Sequence, residues 1–249
     1  MKKHYLFYYI ATISFLAISC NLSNNSKNNQ ATNPVSIDNA EKRQPPNLKE
    51  ESKAEWENKN FLSNCSDFEK DLSDKAKKGD AEAIKDLGII FLRPTNLHSR
   101  IRQDEKLAVS LLTQAADKGD LEAQFVLYGV YYGYYGSGDY KDENKGKEWL
   151  EKAAEGGYAP AEVRIAYNYA MGEDGYPQDY AEALKWRKRL AVKGSAPEHI
   201  EAQYNVGWQY LKGKGVEKDE FEAMKWFGMA ADNGDKEALK ILRKYGMAR

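Results

Sequence analysis

Histidines, serines with a nearby lysine, and recurrent carboxylates are the side chains of this chain that could do chemistry, and their spacing decides whether they can. The three histidines, His4, His98 and His199, have no metal-binding spacing. No serine has a lysine at the third following position, the arrangement that an acyl-enzyme serine and its base use. Carboxylates are plentiful, but Asp104, Asp142, Asp179 and Asp219 recur at one point of a repeating pattern. A carboxylate there accepts hydrogen bonds from the unsatisfied N–H groups of a helix start, so these residues read as caps rather than as acid and base. Gly136-Ser137-Gly138, Gly172 to Gly175 and Gly213-Lys214-Gly215 have the composition of phosphate cradles, yet each falls between two helical stretches, without the preceding strand that a phosphate loop follows. They read as turns. The expectation is of no catalytic residue, no metal site, no cofactor and no small-molecule substrate.

The elements that position these residues follow from a block that keeps returning. Ala83, Ala123, Ala161, Ala202 and Ala238 stand at intervals of 40, 38, 41 and 36 residues. Four positions after each comes an aliphatic residue (Leu87, Leu127, Ile165, Val206, Leu242), and eight after the first four comes an aromatic (Phe91, Tyr131, Tyr169, Tyr210). That spacing is one face of a helix. The fifth position holds Gly88, Ala166 and Gly207, small enough for a neighbouring helix to approach closely, and Tyr128, which departs from the pattern.

A second helical stretch opens at each capping aspartate. It carries Ala108, Gly146, Ala183 or Ala223, then Leu111, Trp149, Trp186 or Trp226, then a small pair or its variant (Ala115-Ala116, Ala153-Ala154, Leu190-Ala191, Ala230-Ala231). Large and then small residues at this spacing suit one helix nesting on the next, and the tryptophans read as repeat core rather than as a stacking platform. Gly119, Gly156, Gly194 and Gly234 are expected to close these helices in the left-handed conformation. Helix pairs that return in this way predict an all-α fold: an α/α solenoid of about four pairs with N- and C-terminal capping helices. The stretch from Ala202 through Gly213-Lys214-Gly215-Val216, Asp219, Ala223, Trp226 and Ala230-Ala231 to Gly234 resembles the Sel-one-like repeat (SLR), a relative of the tetratricopeptide repeat. The resemblance runs from about residue 80 to 249. It is weakest in the first turn, where Leu92 to Gln103 has Pro94 and no glycine.

The ends follow from stacking. Phe68, Leu72 and Ala76 resemble the closing half of a second helix, so residues 61–78 should cap the N-terminal face. Lys236 to Tyr245 restarts a first helix, with polar Arg243 where a further helix would otherwise pack.

Ahead of the repeats, Lys2-Lys3-His4, an uncharged run from Tyr5 to Ile18, and Leu16-Ala17-Ile18-Ser19-Cys20 resemble a bacterial lipoprotein signal with its lipobox. The resemblance implies removal of residues 1–19 and a lipid on Cys20, with an ordinary secretory signal or an uncleaved anchor as alternatives. By resemblance to enterobacterial lipoproteins an aspartate after that cysteine would favour the inner membrane; Asn21 stands there instead, so the outer membrane, facing the periplasm, is expected. Residues 20–60 are Asn-, Lys- and Glu-rich with few large apolar residues, a composition that cannot offset the entropy of ordering. As a coil, Asn21 to Glu57 span roughly 35 Å, and extended on the order of 120 Å. The repeat domain, residues 61–249, is thereby expected to stand clear of the lipid. Its other cysteine, Cys65, has no mate besides Cys20, so no internal disulfide is expected, unlike in cysteine-rich secreted members of the family. The net charge of −1 gives no reason to expect a nucleic-acid partner.

The resemblance implies that first helices line the concave side, with positions two, three, six and nine after each anchor alanine facing into it. The candidates are Phe125, Tyr132, Arg164, Tyr167, Tyr204, Asn205 and Trp208, with Lys85, Ile89, Val163 and Lys240 beside them. Tyrosine, tryptophan and arginine are enriched where binding energy concentrates. Phe125, Val163 and Tyr204 could equally complete contacts between repeats, whereas Tyr167 and Trp208 are expected to be exposed. The run from Tyr131 to Tyr140 reads either as an adaptable binding loop or as an aromatic seal on the repeat edge. The function expected is non-enzymatic: an envelope lipoprotein that holds a partner protein or peptide as a scaffold. An immunity protein neutralising a secreted antibacterial effector is the alternative, and an enzyme acting on cell-wall peptides a more distant one.

Overall fold

The computed structural model describes residues 67–93 and 103–247. All of them belong to the larger of two contact units, Pro45–Arg249. The expected signal, the Cys20 lipid site, the tether, His98 and Cys65 lie outside the described residues.

The described residues form ten α-helices and no strand: α1 (Asp67–Lys77), α2 (Ala81–Leu92), α3 (Glu105–Asp117), α4 (Leu121–Tyr131), α5 (Glu143–Glu155), α6 (Ala159–Met171), α7 (Tyr180–Ala191), α8 (Pro197–Lys212), α9 (Glu220–Asp232) and α10 (Lys236–Lys244). Each packs on the next in sequence. The fold is the expected all-α solenoid: four helix pairs, α2/α3, α4/α5, α6/α7 and α8/α9, between the capping helices α1 and α10. In α1 Leu72 and Ala76 are buried, but Phe68 is exposed.

The capping aspartates do what their position predicts. Asp104 and Asp142 accept from the backbone N–H of Leu107 and Lys145 at 2.9 and 3.1 Å, and Asp179 and Asp219 from Glu182 and Glu222 at 3.0 and 2.9 Å. Asp80, Asp120 and Asp235 cap the first helices α2, α4 and α10 in the same way. Each such cap is worth ~1 kcal/mol. Helices α6 and α8 have no side-chain cap and instead carry proline in their first turn, where a missing N–H costs nothing.

A second link closes every pair. The backbone N–H of each capping aspartate donates to the carbonyl of the aromatic residue that ends the first helix's apolar face: Asp104 to Phe91 (3.0 Å), Asp142 to Tyr131 (2.9 Å), Asp179 to Tyr169 (2.7 Å) and Asp219 to Tyr210 (3.1 Å). The small fifth position is also explained. A Cβ on Gly88 would lie 2.8 Å from Leu112, and one on Gly207 2.8 Å from Phe227. Helix α5 corrects one expectation: Gly156 has φ −64°, and the left-handed residue is Gly157 at φ 92°. The closing position falls four residues after the start of the small pair, where Gly119 and Gly234 also stand.

Candidate functional site

The expected inner face is the one that the first helices share, and the fullest contact between non-consecutive helices among the described residues is made there. Helices α6 and α8 meet directly, and no two second helices meet to that extent among the described residues. On this face Phe125 is half-buried against the rings of Tyr128 and Tyr158, both 5.6 Å away between centroids. Val163 packs against the core around Ala191 and Val206. Tyr204 sits edge-on to Phe227, 5.6 Å away. Lys85 is tied to Glu122 (2.8 Å) and Asp86 (3.2 Å). Burial opposes its charge, but the bonds and the charges of Glu122 and Asp86 together outweigh burial and hold the ammonium well above its usual pKa.

Tyr132 and Arg164 meet in one network, whose centre is a residue the sequence reading passed over. Asp174, in the turn after α6, is the one non-glycine residue with positive φ (52°) among the described residues. Its carboxylate accepts from the Tyr128 hydroxyl (2.6 Å), the Tyr134 hydroxyl (2.7 Å) and Arg164 Nε and Nη2 (3.1 and 2.8 Å). The Tyr132 hydroxyl donates to the Asp174 carbonyl at 2.5 Å. The Asp174 and Arg164 side chains are only 8% and 17% exposed. Burial works against ionisation of Asp174, but the two hydroxyls and the guanidinium prevail and hold the carboxyl below its usual value. Burial and the bond to Asp174 push the Tyr134 hydroxyl up to about 12. A signal for this network was present. The third turn has one residue more than the fourth, counted from Gly172 to Asp179 against Gly213 to Asp219, and Tyr128 departs from the small-residue pattern.

The tyrosine-rich loop is fastened at three places. Tyr135 is buried beside Gly129, where a Cβ would lie 2.1 Å from its ring, and the Arg93 guanidinium lies 4.3 Å from the ring centroid. Glu105 of the preceding pair accepts from the Ser137 N–H at 2.7 Å. Tyr132 and Tyr134 reach the turn of the following pair, at Asp174.

The side chains that stay open lie further along. Tyr167 is 38% and Met171 52% exposed, one turn apart on α6. Asn205 and Trp208 are half-buried on α8, and Trp208, expected to be exposed, instead packs one side of its ring on the core around Phe227. Trp208 stands edge-on to Phe227 (5.9 Å), with the Lys212 ammonium 5.3 Å from its ring centroid. Among the described residues no group of His, Cys, Asp and Glu is placed to hold a metal ion, and no helix is long and apolar enough to cross a membrane.

Pairs of helices that pack each on the next and close with the same aspartate-to-aromatic backbone bond define a tetratricopeptide-like helical repeat protein. The Sel1 repeat model matches residues 81–120, 126–158, 159–192 and 200–235, and the chain belongs to that family. It is 32% identical over 142 residues to the chitin synthase regulator SKT5 of Saccharomyces cerevisiae, covering 56% of this chain and 20% of that protein. It is 33% identical over 95 residues to HRD3B, an ERAD-associated E3 ubiquitin-protein ligase component of Arabidopsis thaliana, covering 38% of this chain and 14% of the relative. The chain thus spans a fifth or less of these relatives. Among solved structures it is similar to c5321, a protective antigen present in uropathogenic Escherichia coli strains displaying an SLR fold. That likeness has 26% identity and a TM-score of 0.57, over 70% of this chain and 35% of that one.

Proposed function

We propose that this chain is a non-enzymatic scaffold whose first-helix face holds a partner protein or peptide. The observation that carries the reading is the partly exposed run Tyr167, Met171, Asn205 and Trp208 on adjoining first helices, where aromatic and apolar area is open to a partner. Relatives named as a synthase regulator and a ligase component support a role exercised through other proteins. They favour the scaffold over the immunity protein. The lipobox-like Leu16 to Cys20 supports a lipid anchor at Cys20 in a bacterial envelope, at the outer membrane and facing the periplasm.

The test is co-purification from detergent extracts of the envelope with the native chain and with a Tyr167→Ala/Met171→Ala variant. The partner should be lost from the variant while its melting temperature stays within about 2 °C, since neither side chain is core. Partners retained in full by the variant would remove this face from the binding site.

A further inference from the structure

Arg187 occupies a slot that the other three pairs fill with hydrocarbon. Eight residues after the capping aspartate the second helices carry Leu112, Leu150 and Phe227, each wholly buried, whereas α7 carries an arginine. Its side chain crosses to α8, where Nη1 donates to Gln209 Oε1 at 2.8 Å. That is its one hydrogen-bond acceptor among the described residues, and no described carboxylate lies within ion-pair distance. Burial lowers its pKa, against the weaker pull of Glu201 and Tyr180.

Two more cations gather at the same seam, and each meets neutral groups. The Lys188 ammonium bonds to the Tyr210 hydroxyl and lies 4.8 Å from that ring's centroid. Gln209 Nε2 donates to the carbonyls of Tyr180 (2.8 Å) and Lys214 (3.2 Å), which brings Lys214 alongside; its ammonium lies 4.9 Å from the Tyr180 ring centroid. A guanidinium half withdrawn from water is costly unless an anion answers it. Nε and Nη2, which have no partner among the described residues, are not wholly closed off from solvent. Their planar fork fits a carboxylate at two points.

We propose that the α7–α8 seam anchors an acidic side chain of the partner protein, its carboxylate on the free guanidinium edge of Arg187, with Lys188 and Lys214 beside it. The proposal rests on the reading that this chain binds a protein and adds the chemistry recognised.

The full chain in detergent is screened against an array of short random peptides, then again as Arg187→Leu, the residue that Leu112 and Leu150 place in this slot. The expected peptides are rich in Asp and Glu and bind more weakly as salt rises. Arg187→Leu should weaken them by about tenfold or more, the loss of a charge-assisted hydrogen bond, and should melt close to the native chain, because hydrocarbon in the slot offsets the donor that Gln209 Oε1 loses. Lys188→Gln with Lys214→Gln should also weaken them, without touching the core slot. Peptides without acidic enrichment, or bound equally by Arg187→Leu, overturn the acidic anchor and leave protein binding standing; an array that selects nothing overturns both. Phosphatidylglycerol vesicles that bind through Arg187 when acidic peptides do not would give the seam to lipid and overturn the proposal.

Discussion

Replacing Asp174 by asparagine should loosen the junction between the second and third helix pairs by a calculable amount. Asparagine keeps the size of the side chain and tolerates the left-handed backbone at φ 52°. The change therefore isolates the carboxylate. The native group accepts four hydrogen bonds, from Tyr128, Tyr134 and twice from Arg164. Removing one member of a fully buried ion pair costs about 3–5 kcal/mol. Here Arg164 is 17% exposed, so water recovers part of the loss, and asparagine retains one acceptor oxygen. An expected loss of about 2 kcal/mol follows. Urea denaturation followed by circular dichroism measures it, and a cycle with Arg164→Met should show a coupling of about 1 kcal/mol or more. The pH dependence carries a sign. Because the folded carboxyl lies below its usual value, its stabilisation is complete above the unfolded pKa of about 3.9 and is lost as pH falls through the folded one. The gap between native and variant should therefore be full at neutral pH and narrow in acid below about pH 4. A gap under about 0.5 kcal/mol at neutral pH, within the range of ordinary surface substitutions, or one that widens in acid, would refute the reasoning.

Two further substitutions test the packing between pairs. Gly215→Ala places a Cβ 2.3 Å from the Tyr180 carbonyl carbon at φ 73°, so backbone must move, and thermal melting should show a loss of about 3 kcal/mol or more. Gly228→Ala, inside α9 with nothing within 4 Å of the added carbon, should raise stability by about 0.5–1 kcal/mol; a loss there would mean the glycine has a contact not accounted for. Glu162, wholly buried, pairs with Arg189 (2.8 Å) and Lys193 (2.5 Å), while Arg189 Nη2 takes the Ala154 carbonyl at 3.1 Å. Glu162→Gln alone should cost about 1–2 kcal/mol, and adding Arg189→Leu should recover part of it by freeing the Ala154 carbonyl for the new amide. Strictly additive losses in denaturation would count against that exchange.

How much of this was legible in the sequence depends on whether a residue's partner comes from its own repeat or from the next. Aspartates at helix starts, alanines and glycines at close approaches and aromatics at the ends of first helices answer to neighbours that return with them, so their roles could be read one block at a time. The glycine closing α5 was misplaced by one position because Gly156 and Gly157 stand side by side and only the distance from Ala153 tells them apart. The Asp174 network was not legible in that way. Tyr128 where a small residue belongs and one extra residue in the third turn are departures from the pattern 46 residues apart, and each by itself reads as noise. Together they account for each other: the larger side chain presents a hydroxyl, and the longer turn brings the carboxylate that receives it. Arg164 and Tyr132, placed on the inner face by helical periodicity, are held by that carboxylate and its backbone carbonyl. Periodicity fixes which way a side chain leaves its helix and says nothing of what arrives from the adjoining turn. Arg187 follows the same logic with the opposite outcome. It too breaks its repeat's pattern, by replacing leucine or phenylalanine, but no described carboxylate of this chain arrives to meet it. A pattern break answered within the chain marks a structural joint, and one left unanswered marks the place to look for a partner.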